Sequence, residues 1–224
     1  MSKLRITHLP TPTSLVETSL MAHSRPAPPP MQALSQEMLD VATQHGFYTP
    51  ASLDSTPDKS VSDIEIMLAK LALISTEITE AINAGIALRR LIANDTDWTL
   101  PNNGRDELAS EFADIAIRTL SLMRALEPSQ QAAGYTATID SALLEYYNKP
   151  HTCNGWLDLY GSVSRAAEHA RKQRSNELFW ELAHIVSSVE RMAWDHRIDI
   201  WAAIQTKHAA NKLRPYRHGK AASV

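Results

Sequence analysis

Two pairs of acidic residues, each with a spacing of three, constrain how this chain of 224 residues can fold. The first pair is Glu77 and Glu80, and the second is Glu111 and Asp114. Each pair lies in a segment with helical periodicity, where a spacing of three places both side chains on one stripe of a helix. The other residues of these stripes are apolar: Leu71, Ile74, Ile78 and Ala81 around the first pair, and Leu108, Ile115 and Leu120 around the second. We therefore expect two helices that bring four carboxylates into one seam.

Carboxylates held together in a helix seam repel each other. At a separation of about 4 Å and an effective dielectric constant near 20, each close pair costs about 4 kcal/mol. A hard divalent cation relieves that repulsion, and Mg²⁺ suits sites that combine carboxylates with substrate phosphates. The pattern favours a Mg²⁺ site in which Mn²⁺ can substitute, since both ions accept oxygen-rich octahedral sites. Ordinary ion-pair decoration of a helix surface is the alternative interpretation.

Composition favours an all-α fold. Alanine, leucine and isoleucine dominate the middle of the chain, only 7 glycines are present, and the 12 prolines are concentrated near the front. No bounded run of alternating β-branched residues indicates a strand. The predicted helices cover residues 31–45, 63–93, 105–126, 136–147, 155–172, 175–196 and 199–212. Pro128 and Gly134 are expected to end the third of them.

The organisation predicted from these helices is a Pro-rich, disordered tail over residues 1–30 and one helical domain over residues 31–220. Residues 63–126 and 175–212 are expected to form a four-helix core, with the helix at 155–172 packed beside it. Residues 136–193 are interpreted as inserted helices that form a helical hairpin, or as a degenerate second repeat. The repeat hypothesis comes from the likeness of residues 107–115 to residues 177–185, where His184 replaces the aspartate.

Charge and cysteine content narrow the function classes. A net charge of −3 provides no overall basic field, so we expect no nucleic-acid polymer as a partner. The one cysteine, Cys153, cannot form an internal disulfide, which is typical of a reducing cytoplasm. We expect no membrane span, because no uninterrupted apolar run approaches the about 18 residues that a membrane helix needs. Pro10 and Pro12 interrupt the N-terminus, which has no signal-peptide pattern.

Further motifs accompany the acidic pairs in a characteristic order. The segment His45-Gly46-Phe47-Tyr48 precedes them, and Lys207-x-x-x-Asn211-x-x-Arg214-Pro-Tyr-Arg-His218-Gly-Lys220 follows near the C-terminus. Together these motifs resemble the MazG-type (MazG-like) all-α nucleoside triphosphate pyrophosphohydrolase superfamily, over residues 36–126 and 194–220. The hairpin at 136–193 departs from the compact pattern of that family.

The resemblance implies a fold, a reaction and a cofactor. A MazG-like helical bundle would hydrolyse a nucleoside triphosphate, preferably a deoxynucleoside triphosphate, to the monophosphate and pyrophosphate. Glu77, Glu80, Glu111 and Asp114 would hold Mg²⁺, and Glu77 or Glu80 would also be the general base. Members of this family are usually dimeric or tetrameric, and we expect a homodimer. The resemblance also implies a place in the cytoplasm as a cellular or phage-encoded enzyme of nucleotide metabolism.

Two sets of residues are candidates for binding the substrate. Lys207, Asn211 and Arg214 follow each other at spacings of four and three, so they share one helix face that suits a triphosphate. A basic helix end that complements the helix dipole is the alternative. His45, Tyr48 and Trp98 are candidates for recognising the base or the sugar, since aromatic rings stack on nucleobases. Packing in the core is their alternative role.

Two rival functions come from other classes. A di-iron carboxylate bundle is suggested by Glu181-x-x-His184, but such sites need two motifs of this kind and two further glutamates, and the sequence has one motif. A helical binding protein that keeps a MazG-like scaffold without turnover is the non-enzymatic alternative. An assay for pyrophosphate release separates all three.

Overall fold

The protein is all-α in a computed structural model that describes residues 26–46, 61–94, 102–148 and 155–214. Seven helices and no strands occur in these described ranges. The helices are α1 (Gln32–Gln44), α2 (Val61–Asn94), α3 (Asn102–Ala132), α4 (Ile139–Asn148), α5 (Trp156–Arg171), α6 (Ser175–Asp195) and α7 (Ile200–Lys212). The all-α prediction is confirmed, and the predicted helices lie close to the observed ones. Residues 26–30 are not helical, while residues 1–25 of the predicted tail lie outside the described ranges.

Two helical hairpins form the core. Helix α2 packs along α3, α5 packs along α6, and the hairpins meet where α3 contacts α6 and α2 contacts α5. The prediction that α5 packs beside a core completed by α7 is therefore wrong: α5 completes the core, and α7 lies mainly against α3. The reason is the length of the apolar stripe on each helix. Buried residues recur along all of α5, whereas in α7 the buried apolar residues end at Ile204.

Aromatic packing ties the two hairpins together. Phe112 of α3 is fully buried, and its ring stacks on Trp156 of α5 with the ring centroids 5.7 Å apart. Gly85 of α2 leaves room for this indole, since a Cβ added there would lie 3.6 Å from the Trp156 ring. Because Phe112 directly follows Glu111, this contact fixes the part of α3 that carries the second acidic pair.

Helix α3 continues through Pro128, so the prediction that this proline ends the helix is wrong. A proline inside a helix removes one hydrogen bond and costs about 3 kcal/mol. Tertiary contacts of the last turns offset that cost. Buried Glu127 forms an ion pair with Arg124 and accepts a hydrogen bond from the backbone N–H of Ile139 at 3.1 Å. The helix ends before Gly134, which has a φ of 84°.

Helix α2 contains one segment, Asp63–Arg89, that is long and apolar enough to cross a membrane by length and composition. This segment is apolar on average, although polar residues such as Thr76 and Glu77 interrupt it. The core helices of soluble proteins pass the same test, and in this protein 44% of the apolar window is buried inside the fold.

Candidate metal and phosphate site

The two acidic pairs meet in the seam between α2 and α3. One carboxylate oxygen from each of Glu77, Glu80 and Glu111 can be chosen so that all three lie within 4.8 Å of one another. Glu77 is buried, Glu111 is half-buried and Glu80 is exposed, so the group lies at the surface end of a buried seam. The structure thus brings together three of the four predicted ligands. The fourth, Asp114, is close enough to interact electrostatically with Glu77 and Glu111, but its carboxylate contacts a lysine.

Burial and the neighbouring negative charges disfavour the charged forms of Glu77 and Glu111. Burial, with a further contribution from the Asp114 charge, raises the pKa of Glu111 to about 7. Burial also raises the pKa of Glu77, although the Arg118 guanidinium opposes that effect. The Oε2 atom of Glu111 is buried and has no hydrogen-bond partner. An unpartnered buried oxygen beside two further carboxylates fits a hard divalent cation, which takes oxygen ligands.

Two cations contact the acidic seam. The Nζ atom of Lys207, on α7, lies 2.6 Å from Asp114 Oδ2 and donates a hydrogen bond to Ser110 Oγ at 2.7 Å. The Nε atom of Arg118, on α3, lies 2.6 Å from Glu77 Oε1. The Nε–H itself makes no hydrogen bond, although the Arg118 guanidinium lowers the pKa of Glu77 through its charge and hydrogen bonding, against the larger effect of burial. Each cation neutralises one carboxylate of the site.

A first cleft opens beside the acids between α1, α2, α3 and α7. It has a volume of about 800 Å³, including the solvent at its mouth. Its polar lining combines Asp114 with cations and other donors, among them Lys70, Arg118 and Arg214, and apolar side chains such as Leu73 and Ile117 complete it. Burial, and secondarily the Arg118 charge, lowers the pKa of Lys70 to about 8. A mixed cationic and apolar lining suits an anion that carries an organic group.

A second cleft lies between α3 and α7 and has a volume of about 900 Å³, including the solvent at its mouth. Its polar lining combines cations and hydroxyl groups with two acids: Arg105, Arg197, Lys207, Ser110, Thr206, Asp106 and Asp199. The Nε atom of Arg105 is buried and has no hydrogen-bond partner. Lys207 lines this cleft and its ion-pair partner Asp114 lines the first one, so the Lys207–Asp114 contact lies between the two clefts.

The predicted substrate residues are distributed between these clefts. Lys207 faces the acids and the second cleft, whereas Asn211, Arg214 and His45 line the first cleft. The structure therefore does not bring Lys207, Asn211 and Arg214 to one pocket. The Oδ1 atom of Asn211 is buried without a hydrogen-bond partner. Tyr48 and Trp98, the other candidates for base or sugar recognition, lie outside the described residues.

The second hairpin carries a polar network at related positions. Ser162 Oγ lies 2.7 Å from His184 Nδ1, and Arg165 Nε donates to Glu181 Oε1 at 2.8 Å. Ser162 and Arg165 are three residues apart, as Glu77 and Glu80 are. Glu181 and His184 are also three residues apart, like the second acidic pair. Hydrogen bonds and an ion pair thus join these side chains of α5 and α6. The hypothesis of a degenerate repeat stays a prediction.

The sequence interpretation missed Arg118. This arginine is four residues after Asp114 and therefore on the same face of α3, and the spacing alone would have placed it next to the acids. Lys70 was similarly not assigned to the site, because its position beside Arg118 depends on the pairing of α2 with α3.

Comparisons with protein-family models, with curated proteins and with solved structures found no match for this chain. The site is therefore interpreted from its own geometry. A seam with three converging carboxylates, two paired cations and two adjoining clefts can bind a divalent cation together with a polyanion.

Proposed function

We propose that this protein is a Mg²⁺-dependent nucleoside triphosphate pyrophosphohydrolase, which cleaves its substrate to the monophosphate and pyrophosphate. The observation that carries the proposal is the convergence of the Glu77, Glu80 and Glu111 oxygens within 4.8 Å, next to a buried Glu111 oxygen without a partner. This arrangement agrees with the site that the motif resemblance implies. The MazG-like fold, the homodimer and the cytoplasmic location belong to the same proposal.

In the proposed site Glu77, Glu80 and Glu111 would hold the cation, and Asp114 would join them when it separates from Lys207. The bound ion would neutralise phosphate oxygens and lower the pKa of a water molecule for attack on the α-phosphorus. Several of these carboxylates would hold the ion, and one of them would also accept a proton from the water. Glu80, which is exposed, and Glu77, which is buried, remain the two candidates for the general base.

The clefts account for the remaining parts of the substrate. Cations line both of them, and the first also has an apolar wall formed by residues such as Met38, Leu73 and Ile117. We assign the nucleoside to this wall and the phosphates to the cationic side chains around the acids, because charge-assisted contacts favour phosphate oxygens.

A panel of ribo- and deoxynucleoside triphosphates with Mg²⁺ tests the proposal, with the products separated by chromatography. The expected products are a monophosphate and pyrophosphate, and Glu80→Gln should abolish turnover while leaving the helical circular dichroism unchanged. Glu107→Gln, an exposed glutamate one turn before Glu111, is the matched control and should retain activity. Formation of a diphosphate and orthophosphate would contradict the assignment.

The non-enzymatic alternative has one observation in its favour. Arg118 and Lys207 already pair with two of the four carboxylates, so the site is partly neutralised without a metal. A binding protein with this scaffold would bind the same triphosphates with Mg²⁺ and release no pyrophosphate, which the same panel would reveal.

A further inference from the structure

We propose that Arg118 and Lys207 are displaceable internal counterions: they neutralise Glu77 and Asp114 in the ligand-free protein and bind the polyphosphate of the substrate when it arrives. This inference rests on the proposed function. It adds a role for Arg118, a residue outside the motifs, and it gives Lys207 two successive partners. Its consequence is that metal and polyphosphate assist each other's binding.

The contacts of Lys207 fit such an exchange. Its ammonium group has three N–H donors, and the contacts to Asp114 at 2.6 Å and Ser110 at 2.7 Å account for two of them. Lys207 also lines the second cleft, so a phosphate there can reach the ammonium group without a rearrangement of α7. The long, flexible stem of a lysine allows this change of partner.

Arg118 pairs with Glu77 as Lys207 pairs with Asp114. Its Nε is 2.6 Å from Glu77 Oε1 without a directed hydrogen bond, and 34% of its side chain is exposed. The guanidinium lines the first cleft. A planar group with five donors matches phosphate oxygens in a bidentate manner.

Charge balance explains why the exchange is needed. The four acidic residues carry a formal charge of −4 when ionised and the two cations carry +2, so the site has a net charge of −2. One divalent cation brings the total to zero. A polyphosphate that enters this neutral site gains further attraction when Arg118 and Lys207 turn from the carboxylates to the phosphates. A metal bound to those carboxylates competes with the two ion pairs and releases the cations for that purpose.

Calorimetric titration of the full-length protein separates this exchange from simple phosphate contact. The probes are Mn²⁺ alone and inorganic tripolyphosphate, titrated with and without Mn²⁺. Lys207→Met should bind Mn²⁺ about tenfold more tightly, because a competing cation is gone. The same variant should bind tripolyphosphate in the presence of Mn²⁺ about ten- to a hundredfold more weakly, because a charge-assisted contact is lost. The two effects have opposite signs.

Lys212→Met is the matched control. Lys212 lies on the same helix and pairs with Glu37 at 2.6 Å, so its loss removes the same charge without touching the acids. Both affinities should stay within about twofold of wild type, since the distant charge is screened. A second variant, Asp114→Asn, leaves Lys207 without its carboxylate and should strengthen tripolyphosphate binding in the absence of metal by about tenfold.

The results distinguish this inference from the proposed function. Opposite changes in Lys207→Met, together with tighter tripolyphosphate binding by Asp114→Asn, support the counterion exchange. An unchanged or weaker Mn²⁺ affinity in Lys207→Met, or unchanged tripolyphosphate affinity in Asp114→Asn, overturns it, even if the wild-type enzyme cleaves nucleotides. If the wild-type protein bound no Mn²⁺, the proposed function would fail together with the exchange.

Discussion

Replacing Glu111 by glutamine should stabilise the metal-free protein at neutral to alkaline pH. Burial and the neighbouring Asp114 raise the pKa of Glu111 from 4.5 to about 7. Each unit of pKa difference corresponds to about 1.4 kcal/mol of free energy, and solvent screening reduces the effect for a half-buried group. We therefore expect the ionised carboxylate to cost about 1–2 kcal/mol, which Glu111→Gln would remove.

The sign of the pH dependence follows from the direction of the pKa shift. Because the folded protein holds the Glu111 proton more tightly than the unfolded chain, this group contributes stability below pH 4.5. That contribution is lost as the pH rises from 4.5 through about 7, where the folded carboxyl ionises. The advantage of Glu111→Gln should therefore be complete near pH 8 and small near pH 5.

Thermal unfolding in metal-free buffer measures this effect. A change of 1 kcal/mol shifts the midpoint of a domain of this size by about 2–4 °C, so Glu111→Gln should unfold about 2–8 °C higher at pH 8. Added Mg²⁺ should raise the midpoint of the wild type and have less effect on the variant. Glu107→Gln, exposed on the same helix, should unfold like the wild type. A lower midpoint for Glu111→Gln at pH 8, or the same gain at pH 5, would refute the electrostatic argument.

Three further changes test the packing that positions the site, each measured by denaturant unfolding. Gly85→Ala should stabilise α2 by about 0.5–1 kcal/mol, because the added Cβ meets Trp156 at the ordinary contact distance of 3.6 Å; destabilisation would show that the indole is packed more tightly. Phe112→Ala should destabilise by about 3–5 kcal/mol, and a loss under 1 kcal/mol would contradict its place between the hairpins. Asp199→Ala should cost about 1 kcal/mol, because its carboxylate caps α7 by accepting two backbone N–H groups; an unchanged stability would mean that water replaces the cap.

Local sequence patterns predicted the helices well. The spacing of apolar residues and the small number of glycines predicted the all-α class. The same spacing predicted helices close to the observed ones, since helix formation depends on residues three and four apart. The exception is Pro128, where the contacts of Glu127 with Arg124 and Ile139 offset a local signal for a helix end. Ile139 lies 12 residues after Glu127 and beyond the end of α3, so the pattern around Pro128 could not show this contact.

The arrangement of the helices and of the site needed the structure. The sequence placed Glu77, Glu80 and Glu111 on stripes that could face each other, and the pairing of α2 with α3 brings them together. It did not show that Lys207 would pair with Asp114, because that contact depends on how α7 packs against α3. It also did not show that α5 rather than α7 completes the core. The packing of helices that are distant in sequence depends on which of their apolar stripes contact each other.

The position of bond cleavage tests the central proposal most directly. Hydrolysis of a nucleoside triphosphate in water labelled with heavy oxygen, followed by phosphorus NMR of the products, shows which phosphorus the water attacks. Attack at the α-phosphorus predicts that the label appears in the nucleoside monophosphate and that the pyrophosphate is unlabelled. Label in pyrophosphate or in orthophosphate, or the absence of hydrolysis with every nucleotide in Mg²⁺ and in Mn²⁺, would contradict the proposed function.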